Sequence, residues 1–543
     1  MVSIEVEGSR LLVRTPFTLK ESCKAVPGAR WDKLRRAWSY PATIHSARNL
    51  DATFQQDMPV WSTEAKALLT DGAVIDHAAA HKTTDDLPPI PKTKLTPWLH
   101  QLRAYHVAKS LPACLLALDM GTGKTKVAID LIINEGWPLT VILCPRSVVA
   151  VWPGEFLKHA AVDVAVLCLL DGTVTVRSAQ VLKAWALQCA LKKPLVVVLN
   201  YDAAWRAPMD TTLLGLPVVA VILDESHRIK SPSGRASLFC ARLGEHARKR
   251  ICLTGTPMPH SPLDIYGQMR FLDKGVFGTS FSLFRARYAI MGGYGNHQVF
   301  GYQREEELRQ KMYALTYRVK ADEVQNLPET LDIVKPCLLS PKGRALYDQL
   351  KRDFTISLEA GEVTTTNALT RLLRLQQITS GHLHTDDGAY EVVDTAKKEA
   401  LFDLLEGLPS DEPVIIFTRF THDLRVVHEV CADLKRHSLE LSGRVNGLAP
   451  WQQGAAPILG VQIQSGGVGV DLTRACHVVY YSLGYSLGDY EQSRKRVHRP
   501  GQARTVRYYH LVAEGTVDHD VYRALEQRQN VIETLLTHWK DAA

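Results

Sequence analysis

Between residues 113 and 133 an apolar run (Ala113 to Leu118) passes through Asp119-Met120-Gly121-Thr122-Gly123-Lys124-Thr125 into an amphipathic run (Val127 to Ile133). That pattern predicts strand, loop and helix, with the strand buried on both faces as in a parallel sheet. Glycines let backbone N–H groups approach a polyphosphate, and the following helix N-terminus adds positive potential. Lys124 can then reach the β and γ phosphates, and Thr125 can offer its hydroxyl to Mg²⁺. The first glycine of the G-x-x-x-x-G-K-[ST] pattern is replaced by Leu118, so the loop is a compact variant.

A second apolar run, Val218 to Leu223, delivers Asp224 and Glu225 at its end. Ligands of open α/β sheets bind at the carboxyl ends of strands. There Asp224 can hold Mg²⁺ and Glu225 can polarise an attacking water. The pair of segments implies a site for ATP hydrolysis with ATP and Mg²⁺ as its cofactors.

Composition narrows the class. At 543 residues the chain is too long for one core, so several domains are expected. An apolar content of 46% with 22% charged residues excludes wholesale disorder. The net charge of +7 (64 basic minus 57 acidic) permits DNA binding without requiring it. Residues 1–50 carry nine Lys/Arg and four Asp/Glu, a net of +5. Ten cysteines show no C-x-x-C pair, which points to a reducing cytosol and no structural zinc. No apolar stretch reaches membrane-spanning length, so no membrane partner is expected.

Organisation follows from the punctuation. Residues 1–50 read as a small α+β module: strands near 4–7 and 11–14, a helix over 18–25, and a hairpin with Arg30-Trp31 and Trp38-Ser39-Tyr40 on its arms. Its Arg30, Trp31, Arg35, Arg36 and Trp38 offer cations for phosphate and flat rings for exposed bases; the alternative is a small aromatic core. Residues 51–94, with Pro88, Pro89 and Pro91, read as a partly helical linker. From 95 to 261, strands at 113–118, 140–144, 195–199, 218–223 and 250–253 alternate with amphipathic stretches, predicting an α/β lobe. Residues 262–395 read as a helical insertion that braces the α/β lobes, with helices over 341–358 and 367–378. A second α/β lobe spans 396–543, with strands at 413–417, 461–464 and 477–481 and a terminal helix from Asp518 to about Trp539.

In order along the chain, these clusters resemble the superfamily-2 helicases, and within them the Swi/Snf-type double-stranded-DNA translocases. The resemblance covers about residues 95–540. It implies two tandem RecA-like α/β domains with parallel sheets. Gln101 resembles the adenine-reading position, and Cys144-Pro145-Arg146-Ser147 through Trp152 resembles motif Ia, which would place Arg146, Ser147 and Trp152 on DNA. Asp224-Glu225-Ser226-His227 is similar to the magnesium and catalytic box. Leu253-Thr254-Gly255-Thr256-Pro257 resembles motif III, so His227, Thr254, Gly255, Thr256 and Gln492 would couple hydrolysis to DNA. Gln464 to Thr473 resembles motif V, implying DNA contacts by Ser465 and Gly466 and nucleotide contacts by Gly469 and Asp471. Gln492-Ser493-Arg494-Lys495-Arg496-Val497-His498-Arg499-Pro500-Gly501-Gln502 resembles the Q-x-x-x-R-x-H-R-x-G-Q signature, with Arg496 and Arg499 as arginine fingers.

Two departures stand out. Ser482 to Gly488 replaces the family's Trp-Asn-Pro element, and the segment from Leu441 to motif V is short. Val26 to Asp32 followed by Ala37 to Pro41 resembles the HARP-type domain of annealing helicases. That likeness implies a reader of forked or junction DNA and a compact bacterial or phage protein. The expected activity is ATP-driven translocation on duplex that drives branch migration or strand annealing. A protein-displacing or restriction-like motor and an ATP-gated DNA clamp are the alternatives.

Overall fold

The structure is a computed structural model. Its described residues are 2–70, 87–259, 261–292, 298–324, 327–359, 365–384, 390–463 and 470–527. The chain divides into two compact units, residues 1–324 and 325–543.

The first unit opens with a five-stranded sheet, in the order β3-β4-β2-β1-β5. Its strands are β1 (Ser3–Glu7), β2 (Arg10–Arg14), β3 (Arg30–Asp32), β4 (Ala37–Pro41) and β5 (Val60–Trp61). Ile4, Leu11, Val13 and Tyr40 on one face meet Leu50 and Phe54 of the helix Ile44–Phe54, forming the module's core. Thr43 caps that helix by accepting from Ser46 N–H at 3.2 Å. The module extends past residue 50. β5 adds to β1, and Ala65 of the helix Thr63–Thr70 enters the same core. A strand this short carries no readable periodicity, which is why a linker was expected over 51–94. Farther along, Lys92 and Asn134 exchange two hydrogen bonds of 2.9 Å, strapping this stretch to the helix Lys124–Glu135.

The nucleotide-binding lobe is a seven-stranded, wholly parallel sheet in the order β14-β6-β11-β10-β7-β9-β8. It comprises β6 (Ala113–Leu118), β7 (Leu139–Cys144), β8 (Ala165–Leu169), β9 (Leu195–Asn200), β10 (Ala220–Asp224), β11 (Lys249–Leu253) and β14 (Thr316–Val319). Central strands β6, β7 and β10 are buried at every position, as their unbroken apolar runs require. The small hairpin β12 (Ala289–Gly292) and β13 (Gln298–Tyr302) lies outside this sheet. The N-terminal module is fastened to this lobe. His45 Nδ1 stands 2.8 Å from Asp273 Oδ2, and Asn49 donates to the Gly275 carbonyl at 3.1 Å. Gly28 and Gly278 pack backbone to backbone, where a Cβ on Gly278 would lie 2.7 Å from Gly28 N.

The second unit holds a six-stranded parallel sheet in the order β15-β22-β21-β18-β20-β19. Its members are β15 (Thr330–Cys337), β18 (Val414–Thr418), β19 (Ser438–Leu441), β20 (Ile458–Gln462), β21 (His477–Tyr480) and β22 (Val506–Ala513); a side hairpin pairs β16 (His382–His384) with β17 (Tyr390–Val392). Both sheets are thus parallel, with helices between successive strands, which is the RecA-like α/β architecture that the resemblance implied.

The single helical brace expected over 262–395 is not one body. β14 joins the first sheet beside β6, and β15 joins the second beside β22, so the segment is shared between the two units. β15 is an edge strand with most of its residues exposed or half-exposed, and its polar pattern hides it within a helix-rich stretch. The helices Pro341–Glu359 and Thr365–Thr379 do form, and Tyr347, Leu372, Leu375 and Ile378 pack into the second unit's core. The expected strand at 461–464 begins earlier, as β20. The terminal helix is described over Val517–Glu526; its expected continuation to Trp539 lies outside the described residues. No helix among the described residues is long and apolar enough to cross a membrane.

Candidate active site

The loop after β6 turns through Gly121 (φ +84°) and Gly123 (φ +90°), conformations that a side chain would strain. Gly123 is the residue before the helix Lys124–Glu135, and a Cβ there would lie 2.2 Å from Gln101 Nε2. Gln101 is buried and spans two segments. Its Nε2 donates to the Thr122 carbonyl at 3.0 Å, and its Oε1 accepts from Trp98 N–H at 3.0 Å. His100 Nε2 meets the same Thr122 carbonyl at 2.8 Å. Burial lowers the His100 pKa, leaving a neutral ring suited to this buried bond. The sequence singled out Gln101 but not His100, whose signal was only its place beside Gln101.

Lys124 reaches back along the loop, its Nζ donating to the Leu118 carbonyl at 3.0 Å. Thr122 is fully buried and its hydroxyl donates to the Asp119 carbonyl at 2.7 Å, while Met120, Gly121 and Thr125 are half-buried along the loop. Asp119 Oδ2 accepts from Ala321 N–H at 3.1 Å, so the loop is anchored from its far side by the segment after β14.

β10 ends with Asp224 and Glu225, both buried. Glu225 sits in the left-handed region (φ +50°, ψ +53°), a conformation rare for a residue with a side chain and frequent at active sites. Burial pushes the Asp224 carboxyl up to about 7, the negative charge of Glu225 adds to this, and Lys124 opposes it. Two carboxyls forced together out of water are destabilised until a cation arrives. Mg²⁺ beside Lys124 fits that need, with Asp224 and Thr125 as the residues that would hold it. Once bound, the ion would supply charge neutralisation at the β and γ phosphates.

The acidic box is tied to the strand beside it. His227 Nδ1 lies 3.4 Å from Glu225 Oε2 and 3.3 Å from the Thr254 hydroxyl, just past the end of β11. Thr254 Oγ1 in turn accepts from Thr256 N–H at 3.1 Å. Gly255 passes close to the phosphate loop, where a Cβ would meet the Leu118 carbonyl and Met120 nitrogen at 3.4 Å each. A parallel link escaped the sequence reading. Ser226 donates to Gln268 Oε1 at 2.7 Å, and Gln268 Nε2 donates to the Pro257 carbonyl at 2.6 Å.

One expected DNA contact is corrected. Trp152 is 1% exposed, its ring packed beside Phe156 and its indole N–H near enough to Asp224 to lower that carboxyl's pKa slightly. It opens the helix Trp152–His159, whose buried face is Trp152, Phe156 and His159. Arg146 and Ser147, at the carboxyl end of β7, are exposed. In the module Arg30, Trp31 and Arg36 are exposed, and Trp38 is half-buried with its ring 5.5 Å from that of Trp31. Arg35 is taken up by Glu7, with a 2.7 Å bond from its Nε, and by Asp32 at 3.2 Å. It braces the hairpin turn instead of reaching outward.

In the second unit, Gln492 and Arg496 lie on the helix Leu487–Val497, and Arg499 follows it. Arg496 is buried, and its carbonyl accepts from Leu472 N–H at 3.1 Å, joining this helix to the end of motif V. Gln502 completes the join, donating to the carbonyls of Thr473 (3.1 Å) and Ala475 (2.8 Å). Asp471 is exposed and its Oδ1 accepts from Thr473 N–H at 3.0 Å. Ser465, Gly466 and Gly469 lie outside the described residues. The departure at 482–488 has a local explanation. Ser482 donates to Asp423 Oδ2 at 2.5 Å and accepts from Arg419 N–H at 2.8 Å, anchoring the segment without a Trp-Asn-Pro element.

A glycine loop with its lysine, an acidic box at the end of the strand two places over and a second parallel sheet define a P-loop nucleoside-triphosphatase of RecA-like build. Residues 61–382 match the SNF2-related domain and residues 396–501 match the helicase conserved C-terminal domain; the chain belongs to the SNF2-related family.

Among its relatives, protein p41 of Acyrthosiphon pisum secondary endosymbiont phage 1 is 25% identical over 78% of this chain and 94% of its own. The mouse DNA annealing helicase and endonuclease ZRANB3 is 25% identical over 84% of this chain. The DNA repair and recombination protein RDH54 of Saccharomyces cerevisiae is 22% identical over 78% of this chain. The chain spans 42% of the length of the mouse protein and 51% of the yeast one. A solved Sulfolobus solfataricus SWI2/SNF2 ATPase core in complex with dsDNA is 23% identical, covers 82% of this chain and 93% of that one, and superposes with a TM-score of 0.40.

Proposed function

We propose that the chain is an ATP-dependent double-stranded-DNA translocase that remodels forked or branched DNA by branch migration or strand annealing. The observation that carries this reading is the attachment of a cationic, aromatic hairpin to the nucleotide-binding lobe. Arg30, Trp31 and Arg36 are exposed on a module held to that lobe by His45 and Asp273. Exposed cations serve phosphate and an exposed indole serves an unstacked base, a combination suited to a junction of single and double strands.

In this reading Lys124 and Thr125 bind the phosphates with Mg²⁺, and Asp224 completes the metal site. Glu225 accepts a proton from the attacking water, and Arg496 and Arg499 deliver positive charge to the γ-phosphoryl group in the transition state. Gln101 reads the adenine and positions the loop together. Arg146 and Ser147 touch the DNA backbone. His227, Thr254, Gly255, Thr256 and Gln492 pass the nucleotide state to the DNA contacts. The relatives named for annealing and recombination support the DNA branch of the reading.

The test is the ATPase rate of the full chain with no nucleic acid, single-stranded DNA, plain duplex, forked DNA and structured RNA at one fixed salt concentration. Stimulation by duplex, and more by forks, is expected, with the fork increment lost in Trp31→Ala. Stimulation by single strands or RNA alone would overturn the proposal.

A further inference from the structure

The seam between the N-terminal module and the nucleotide-binding lobe forms a half-open cavity of about 370 Å³ lined by four arginines. Arg10 and Arg30 face it from the module, and Arg250 and Arg270 from the lobe. None of these four guanidinium groups has a carboxylate partner among the described residues. The two carboxylates on the same walls are already engaged, Glu245 by Lys274 and Asp273 by His45.

The lobe arginines are held at some cost. Arg250 makes only a 3.4 Å bond to the Gly244 carbonyl, Arg270 bonds Pro232 O and Ser237 Oγ, and the Nε–H of each is buried without an acceptor. Burial lowers the pKa of both, with the Asp273 carboxylate opposing the shift at Arg250 and the Tyr266 ring, 5.5 Å from the guanidinium, opposing it at Arg270; both stay charged. An anion in the cavity would offset that charge.

We propose that this seam is a phosphate-backbone site for a DNA strand, separate from the nucleotide pocket. It lies at the amino end of β11, where Arg250 sits, whereas the nucleotide residues gather at the carboxyl ends of the strands. Its occupant is a strand and not a small anion, because a second cavity of about 680 Å³ adjoins it, sharing Gly28, Arg30 and Thr279; the lysines on that wall, Lys24 and Lys311, are already paired with Glu21 and Glu307, so the strand is held by the arginines. Together the two make a groove that runs from the lobe to the hairpin bearing Trp31. The inference rests on the DNA reading above and adds lobe residues to it. Strand binding here would make the module and the lobe one continuous footprint.

The experiment is the salt dependence of DNA affinity, measured by fluorescence anisotropy on the full chain. Each phosphate contact contributes about 0.9 to the slope of log K against log[KCl] on duplex. Arg10→Gln should therefore flatten the slope by about 0.9 and Arg10→Gln/Arg30→Gln by about 1.8. Both residues are exposed, so folding is not at stake. Arg14→Gln, in the same module but ion-paired to Glu5, should leave the slope unchanged. An unchanged slope in the double variant overturns the proposal. So does tripolyphosphate binding that the double variant abolishes while its DNA slope stays at the wild-type value, since the groove would then take a free polyanion. Fork preference is read separately as the fork-to-duplex affinity ratio at one salt; its absence in the wild type would remove the fork reading and leave the slope result standing.

Discussion

The hydroxyl of Thr254 stands 3.3 Å from Nδ1 of His227, and the same nitrogen lies 3.4 Å from Glu225 Oε2. Burial holds the His227 pKa below its ordinary value, so near neutral pH the ring carries one proton. With a single proton, Nδ1 can donate to Glu225 or accept from Thr254, but not both. The imidazole is therefore a choice between the Glu225 carboxylate and Thr254 just past the end of β11. Thr254→Val removes one option. DNA-stimulated hydrolysis should fall by roughly tenfold, within the 5- to 150-fold range of allosteric coupling, and the DNA-free rate should change much less. Steady-state ATPase with and without duplex measures both.

Glu225 and Lys124 separate chemistry from binding. Glu225→Gln keeps the shape of the box and removes the base, so hydrolysis should drop by about 10²- to 10⁴-fold while nucleotide affinity stays close to wild type. Lys124→Ala should instead weaken binding itself, since its ammonium sits on the phosphate loop, donating to the Leu118 carbonyl. Equilibrium binding of a fluorescent ATP analogue alongside single-turnover hydrolysis distinguishes them. Full turnover in Glu225→Gln would place the base elsewhere.

Trp152 gives a third expectation that runs against its sequence assignment. Its buried indole N–H has no hydrogen-bond acceptor, yet it lies near the Asp224 carboxyl. Trp152→Phe keeps the ring and removes that N–H. The Mg²⁺ concentration for half-maximal ATPase should rise a few-fold, less than the roughly tenfold or more that a full charge-assisted hydrogen bond of about 1.5–3 kcal/mol would give, because the N–H lies near the carboxyl without such a bond. Duplex affinity should not change. A loss of duplex affinity at unchanged Mg²⁺ dependence would restore Trp152 to the DNA surface.

What was legible in the sequence divides along a physical line. Central strands such as β6, β7 and β10 are buried on both faces and appear as unbroken apolar runs, and the phosphate loop carries its own chemistry in residue type and spacing. Edge strands do not announce themselves: β8, β14, β15 and β19 were missed, and with β14 and β15 went the division of 262–395 between the units. The central β22 was missed as well, because Arg507, Tyr508, Tyr509 and His510 interrupt its apolar run although the strand is almost wholly buried. Side-chain direction was also beyond reach. Motif spacing placed Trp152 beside Arg146, but only the helix's inward face buries it and leaves Arg146 outside. Links through residues outside any motif, such as Ser226 to Gln268, depend on a helix returning from 42 positions away.

Asp423 carries the last prediction, on stability. The residue is wholly buried in the second unit, and burial pushes its carboxyl up to about 7, with the Ser482 hydroxyl and Lys397 opposing the shift. The folded state thus holds a proton that the unfolded chain releases near its ordinary value of 3.8. Between those values the native state binds more protons than the unfolded one. Stability from this group is therefore greatest at or below pH 4 and declines as pH rises toward 7, by about 1.4 kcal/mol for each pH unit crossed. Asp423→Asn keeps an acceptor for Ser482 and cannot ionise. Its urea midpoint for the transition of residues 325–543 should change less between pH 5 and pH 7 than that of the wild type. Equal pH dependence in the two proteins would mean that Asp423 is ionised at neutral pH, its charge met by Ser482 and Lys397.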